Sequence, residues 1–279
     1  MFSIKKEKNI KKQKITIKTS TGKRLSLIVL SNENQETLSP GILWLHGGGY
    51  YLGMKEMIYM SRAIDLVKKY NAVVISPGYS LSLLHPYPAA LNECYEALLY
   101  MVNNASSYKI NKNQIMIGGE SAGGGLAIAV AMMARDKKEV NIAYQMPLYP
   151  MIDNFDTPSS IDNHGKVWNT RKNHFGWKLY LRKKAKEMVE PYAAPARQTN
   201  YTDLPPAYTF VGDEEPFYCE TMTYINNLKK AGIEANIDVY HTNIHAFDML
   251  HPSLDISQQA IIKFEEAYIY ASKHYFKDN

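Results

Sequence analysis

The chain of 279 residues has only two cysteines, Cys94 and Cys219, and they lie far apart. Two isolated thiols without a C-x-x-C pair exclude a disulfide framework and a cysteine-based zinc site. We therefore expect no metal, and such sparing use of cysteine favours a reducing environment, the cytoplasm.

The sequence also lacks any run of about 18 consecutive apolar residues. Its N-terminal lysines are not followed by the apolar segment that an export signal requires. Neither a membrane span nor export is expected. The sequence thus predicts a cytoplasmic protein without a membrane partner.

An excess of positive charge is missing from most of the chain. The formal net charge is +5, but six lysines and one glutamate within the first 14 residues account for it. Because the remaining chain is neutral, no nucleic-acid partner is expected. We interpret the basic segment as a short solvated arm. Its lysines are Lys5, Lys6, Lys8, Lys11, Lys12 and Lys14.

Short apolar runs alternate with longer helical patterns along the chain. A hairpin with Gly22 in its turn comes first, and apolar strands at 41–47, 114–120 and 142–150 are then separated by helical segments. Continuous apolar strands joined by helices predict a parallel sheet covered on both faces. The predicted class is α/β, a doubly wound and mostly parallel sheet.

This alternation stops after Pro150 and resumes at residue 206. The intervening residues, about 151–200, are rich in aromatic and basic side chains. Since so long a connection is rarely structureless in a compact domain, we predict a small cap. The cap would be an insertion within a single domain that covers residues 1–279.

The segment QIMIGGESAGGG runs from a predicted strand directly into a predicted helix. It contains G-x-S-x-G, which in this setting indicates a nucleophile at Ser121. The sharp turn requires very small flanking residues, and Gly119 and Gly123 meet that need. The alternative is a glycine-rich helix start with a capping serine.

A serine nucleophile needs a histidine base, oriented by a carboxylate. Of the histidines near the C-terminus, only His245 lies in the loop just after the last predicted strand. Such loops carry the sites of doubly wound sheets, so His245 is the predicted base. We interpret His241 as a packed or surface histidine, and His274 belongs to the terminal helix.

These motifs resemble the hormone-sensitive-lipase branch of the α/β-hydrolases, which are esterases. The resemblance extends from about residue 40 onward and rests on four segments. They are HGGG at 46–49, PYPAAL at 86–91, GESAGG at 119–124 and HAF at 245–247.

The resemblance implies that the glycine loop supplies an oxyanion hole. By position, its donors would be the amides of Gly48 and Gly49, joined by the amide of Ala122. A phosphate-binding loop is the alternative, but the glycines match neither G-x-G-x-x-G nor G-x-x-x-x-G-K-[ST]. His46 opens the loop and is interpreted as a structural residue that orders it.

The resemblance also suggests the acid of the triad. Relatives commonly carry an aspartate before Pro-Leu or Pro-Phe, whereas this chain reads VGDEEPFYCET. Alignment on Pro216 and Phe217 places Glu215 in the acid position. Asp213 is the alternative, and Glu214 is expected to be solvated.

The predicted function is hydrolysis of short- or medium-chain carboxylic esters by a serine carboxylesterase without a cofactor. Tyr50, Trp168 and Trp177 would line the substrate pocket, although the two tryptophans could equally form the core of the cap. A deacetylase of sugars or xylan-derived esters is the alternative. A non-catalytic binding protein and a serine peptidase are weaker alternatives, because the triad residues are present and no large extra domain is visible. The expected partner is a small-molecule ester, and a homodimer is compatible with the sequence.

Overall fold

The computed structural model describes residues 9–279, in which one eight-stranded sheet has helices on both faces. The strand order is β1-β2-β4-β3-β5-β6-β7-β8. β2 pairs antiparallel with β1 and β4, and all other neighbours are parallel. The predicted α/β class is therefore confirmed. The strands are β1 (Ile10–Lys18), β2 (Arg24–Asn32), β3 (Ser39–Leu45), β4 (Val73–Pro77), β5 (Ile110–Glu120), β6 (Tyr144–Leu148), β7 (Ala207–Gly212) and β8 (Ala235–Tyr240).

The helices follow the predicted segments, with one break. The sequence pattern of residues 57–70 predicts one continuous helix, but in the structure a 3₁₀ turn at Lys55–Tyr59 precedes the α-helix, which begins after Ser61. The Ser61 hydroxyl accepts the amide of Ala63 at 3.2 Å and caps the new helix. The helices are α1 (Arg62–Tyr70), α2 (Ala89–Asn103), α3 (Ala122–Lys137), α4 (Thr170–Leu181), α5 (Tyr218–Lys230), α6 (Phe247–Leu250) and α7 (Asp255–His274).

Both faces of the sheet are buried, which explains the continuous apolar strands. In β5, Ile115 and Ile117 belong to the core beneath α2 and α3, whereas Met116 belongs to the core beneath α1 and α7. Side chains of a strand point alternately to the two faces. The long apolar runs therefore reflect helices on both sides of the sheet.

The N-terminal lysines that the structure describes belong to a strand. Lys11, Lys12 and Lys14 are exposed in β1, an edge strand paired only with β2. Lysines on an edge strand discourage pairing with other chains. The other arm lysines, Lys5, Lys6 and Lys8, lie outside the described residues.

The segment 151–200 contains α4 and two 3₁₀ turns, Arg182–Lys186 and Pro195–Arg197. Its start is fixed by the buried Glu220 of α5, whose Oε1 accepts the amides of Ile152 at 2.6 Å and Asp153 at 3.1 Å. α4 packs on the loop after β3, since a Cβ built on Gly176 would lie 3.0 Å from the carbonyl oxygen of Gly49. Over residues 9–279, no helix has the length and apolar character needed to cross a membrane.

The turn between β5 and α3 depends on the absence of a side chain at residue 123. A Cβ there would collide with the carbonyl oxygen of Leu45 and lie 2.5 Å from that of His46. We expect Gly123→Ala to lower the free energy of unfolding by at least about 2 kcal/mol, because backbone on both sides cannot yield. Urea denaturation measures the change.

Gly78→Ala is the matched control. A Cβ at Gly78 would meet mainly the flexible side chain of Lys55 at 3.3 Å. Its effect is expected to stay within about 0.5 kcal/mol. Equal losses in the two variants would contradict the steric account of Gly123.

Candidate active site

Ser121 lies at the turn between β5 and α3 in a strained backbone conformation, with φ 56° and ψ −120°. Left-handed φ values cost energy in non-glycine residues and persist only where the surroundings enforce them. Here the amide of Ser121 donates to the carbonyl of Leu148 at 3.0 Å, and its own carbonyl accepts the amides of Gly125 and Met151, each at 3.0 Å. The strained turn is therefore held by bonds to β6, α3 and the following loop.

The three side chains predicted as a triad form one buried chain of hydrogen bonds. Oγ of Ser121 lies 2.9 Å from Nε2 of His245, and Nδ1 of His245 donates to Oε2 of Glu215. The other carboxylate oxygen, Oε1 of Glu215, accepts the amide of Gly212 at 3.0 Å. Because the carboxylate can only accept, Nδ1 carries the proton and Nε2 is free to accept from the serine hydroxyl.

The alternative acid, Asp213, contacts a different histidine. Its carboxylate lies 3.1 Å from Nδ1 of His241, whose side chain is 81% exposed. The carboxylate of Asp213 accepts a hydrogen bond from His241, and this bond raises the pKa of His241. Glu214 is exposed, as expected. Of the three neighbouring acids, the structure therefore brings Glu215 to His245.

Aromatic side chains enclose the imidazole of His245. Phe217 and Tyr149 stand edge-on to it, with ring centroids at 5.0 and 5.1 Å, and Trp168 lies at 6.3 Å. Sequence reasoning missed Phe217 and Tyr149. The available signal was position: Tyr149 lies at the carboxyl end of the predicted strand 142–150, and Phe217 follows the strand predicted from residue 206, where such sites gather.

The glycine loop lies against the nucleophile, because a Cβ built on Gly47 would be 3.4 Å from Cβ of Ser121. Gly48 and Gly49 have φ values of +119° and +58°. Within residues 9–279, their amides have no hydrogen-bond acceptor. The amide of Ala122, the first residue of α3, has no partner within its helix. Three backbone donors are thus unused beside Ser121.

His46 is built into this loop as a neutral side chain. Its ring stacks on Tyr79 with centroids 4.1 Å apart, and Nδ1 lies 2.8 Å from the carbonyl oxygen of Gly47. Burial lowers the pKa of His46 to about 4. These contacts agree with a structural role in ordering the loop.

The three predicted substrate-contacting aromatics occupy two different settings. Tyr50 and Trp177 are 1% and 2% exposed and pack on Tyr180 beneath the loop. Trp168 instead lies at the site, since a Cβ on Gly49 would come within 2.7 Å of its Cζ2 atom. The burial of Trp177 favours the alternative that it is part of the cap core, and Tyr50 shares that setting.

Buried acids surround the catalytic turn, and sequence reasoning assigned no role to two of them. Glu120 accepts the indole N–H of Trp44 at 2.9 Å, and burial raises its pKa to about 8. Asp248 accepts the hydroxyl of Tyr149 at 2.9 Å and lies 3.1 Å from Nε of Arg62. Burial raises the pKa of Asp248, and the guanidinium of Arg62 opposes that rise. In the part of the chain that the structure describes, no cluster of three or more His, Cys, Asp or Glu side chains could hold a metal ion.

The chain is similar in sequence and fold to known proteins. A family described as having the alpha/beta hydrolase fold matches residues 42–249. A protein of Acanthamoeba polyphaga mimivirus, whose name assigns it to the alpha/beta hydrolases, is 29% identical over 81% of this chain and 65% of its own length. An arylesterase of Saccharolobus solfataricus is 27% identical over 74% of this chain and 67% of its own length.

Among solved structures, a bacterial heroin esterase superposes with a TM-score of 0.90 and 26% identity. The superposition covers 95% of this chain and 85% of that one. By contrast, the chain spans less than two thirds of the length of the first curated relatives, 65% and 61%.

The buried Glu120 generates a pH-dependent prediction. Its pKa is about 8 in the folded protein against an ordinary 4.5, so the folded state holds an extra proton between these values. The contribution of Glu120 to the free energy of unfolding should therefore be largest below pH 4.5. It should decline as the pH rises from 4.5 to about 8. Glu120→Gln stays neutral and keeps an acceptor for Trp44. We expect its stability relative to wild type to increase from about pH 5 to about pH 9.

Urea denaturation of both proteins at the two pH values measures this difference. Titration of groups that do not interact with Glu120 is common to both proteins and cancels. If the difference in free energy of unfolding between the variant and the wild type is the same at both pH values, Glu120 ionises normally in the folded protein.

Proposed function

The chain belongs to the alpha/beta hydrolase family, whose model matches residues 42–249, and on that premise we propose that it is a serine carboxylesterase. The observation that carries the proposal is the buried chain of hydrogen bonds from Ser121 through His245 to Glu215. The names of similar proteins, an arylesterase and a heroin esterase, support ester hydrolysis as the reaction.

Acylation begins when Nε2 of His245 takes the proton of Ser121 as Oγ attacks the carbonyl carbon of the ester. Glu215 holds the imidazole in the correct tautomer and stabilises the imidazolium that forms. The carbonyl oxygen becomes an oxyanion. The unused amides of Gly48, Gly49 and Ala122 are the donors for it, and they stabilise the transition state more than the ground state.

The tetrahedral intermediate then collapses. The imidazolium of His245 gives its proton to the departing alkoxide, so the alcohol leaves and the acyl group stays on Oγ of Ser121. Water, deprotonated by the same His245, attacks the acyl-enzyme and releases the carboxylic acid. The cycle uses only groups of the chain and water, and it predicts ping-pong kinetics.

The enclosure of the nucleophile supports a small acyl group. Ser121 is 6% exposed, and Trp168 lies against Gly49 at the oxyanion loop. Phe217 and Tyr149 enclose the histidine from other directions. An acyl chain that enters this space must fit between aromatic rings. Short and medium chains are therefore the proposed substrates.

The proposal is tested by hydrolysis of p-nitrophenyl acetate, butyrate and octanoate by the wild type and Ser121→Ala. We expect turnover of acetate and butyrate, a lower kcat/KM for octanoate, and loss of kcat by about 10⁴-fold or more in the variant. Circular dichroism checks that the variant is folded. A folded wild type that hydrolyses none of the esters, or an equally active variant, would refute the proposal.

The acid of the triad is tested by a matched pair of amide substitutions. Glu215→Gln can no longer stabilise the imidazolium of His245, so we expect kcat for p-nitrophenyl acetate to fall by roughly 10³–10⁴-fold. Asp213→Asn removes a carboxylate that faces the exposed His241, and kcat should stay within about twofold. The reverse ranking would assign the acid to Asp213.

A further inference from the structure

Basic side chains are concentrated in one part of the segment 151–200. Residues 163–186 contain eight lysines and arginines and no aspartate or glutamate. The N-terminal lysines account for the excess charge of the whole chain, so acids elsewhere offset these eight cations. The cations are Lys166, Arg171, Lys172, Lys178, Arg182, Lys183, Lys184 and Lys186.

Several of these cations share one side of α4. Arg171, Phe175 and Lys178 are exposed at spacings of four and three residues, which places them on the same helix face. The opposite side of the helix contacts the site, because Gly176 packs on the carbonyl of Gly49. The charged face of α4 is therefore one helix diameter or less from the oxyanion loop.

An open groove of about 610 Å³ lies along this face. Tyr51 and Phe175 supply aromatic surface, with ring centroids 5.1 Å apart and planes nearly perpendicular. Arg171, Lys172 and Lys178 supply the cationic surface. The lining residues include no acid.

A continuous set of rings connects the groove to the catalytic histidine. The ring centroid of Tyr51, which lines the groove, lies 6.2 Å from that of Trp168. The ring centroid of Trp168 lies 6.3 Å from that of His245. These contacts place the groove next to the site, on the far side of Trp168 from His245.

The positive charge of the groove is not neutralised by neighbouring acids. Over residues 9–279, Arg171 and Lys178 form no ion pair. The ammonium group of Lys172 donates to the carbonyls of Lys166 at 2.9 Å and Val167 at 2.7 Å, which leaves its charge in place.

His174 also lines the groove but is paired with Asp156 at 2.6 Å. Asp156 is therefore an acid beside the groove, in contact with one of its lining residues. The three cations Arg171, Lys172 and Lys178 outnumber this one acid, so the groove keeps a net positive charge.

We propose that this groove binds a negatively charged group of the substrate, so that the enzyme prefers anionic esters to neutral ones. The inference rests on the proposed function and specifies its substrate class as esters that carry a carboxylate or phosphate remote from the scissile bond. The guanidinium of Arg171 can bind such a group with two parallel hydrogen bonds. The combined field of the three cations raises the local concentration of anions.

The test compares two pairs of esters of similar size, in each of which only one member carries a carboxylate. The pair para-acetoxybenzoate and para-acetoxybenzamide places the charge on the alcohol side. The pair p-nitrophenyl monoadipate and p-nitrophenyl heptanoate places it on the acyl side. We expect kcat/KM to favour the anion about tenfold in at least one pair at low salt, chiefly through KM. The preference should approach unity in about 1 M NaCl, where charges are screened within about 3 Å.

The double variant Arg171→Gln/Lys178→Gln removes two of the cations without touching the triad. We expect it to reduce the preference for the anion to less than about threefold and to leave kcat/KM for the neutral esters within about twofold. Lys229→Gln/Lys230→Gln is the control of equal charge. These exposed lysines lie at the end of α5, which leads into the edge strand β8, and they do not line the groove. The preference should therefore be unchanged.

The outcomes separate this inference from the proposed function. If Ser121-dependent hydrolysis of the neutral esters occurs but neither pair shows a preference, the groove does not select anions and the esterase proposal stands. The same conclusion follows if the preference survives in the groove variant or is lost equally in the control variant. If folded protein hydrolyses none of the four esters, both proposals fail.

Discussion

The close approach of backbone at the carboxyl ends of β3 and β5 is the constraint on which the site depends. Gly119 and Gly123 each lie so near the carbonyl of Leu45 that a Cβ would collide with it. This contact brings the glycine loop, the nucleophile and the first turn of α3 into one small volume. The strain at Ser121 is tolerated because strands on both sides and the helix hold the turn rigidly. Preorganisation of this kind aligns unused backbone donors before any substrate arrives.

Buried acids around this turn each have a defined partner. Glu215 contacts His245, Glu120 accepts from Trp44, and Glu220 accepts backbone amides at the start of the segment 151–200. Asp248 is paired with Arg62 and accepts the hydroxyl of Tyr149, whose ring contacts the imidazole of His245. A buried carboxylate without such partners would be costly, and one with them restricts how its neighbours can move. The same interior therefore supports the reacting groups and attaches the segment that covers them.

The helix α4 of the segment 151–200 has two sides of different character. The inner side of α4 packs Gly176 on the oxyanion loop and places Trp177 in the core. Its outer side presents cations and an exposed phenylalanine. A helix that is fixed on one side and charged on the other can hold a substrate at a constant distance from Ser121. The contact between α4 and the glycine loop thus fixes how far the charged side of the helix lies from that loop.

Local patterns in the sequence determined the α/β class, the order of the main elements, and the choice of Ser121 and His245 as candidates. Each of these depends on periodicity or on a short motif whose geometry is local. Other features depend on contacts between residues far apart in the chain. The family resemblance placed Glu215 in the acid position, and the tertiary structure shows its contact with His245 and the contact of Asp213 with His241. It also separated Trp168, at the site, from Trp177, in the core. Two tryptophans in one segment look alike in sequence, and so do two acids that are two positions apart. They differ in the residues that each side chain contacts, and those residues are far away in the chain.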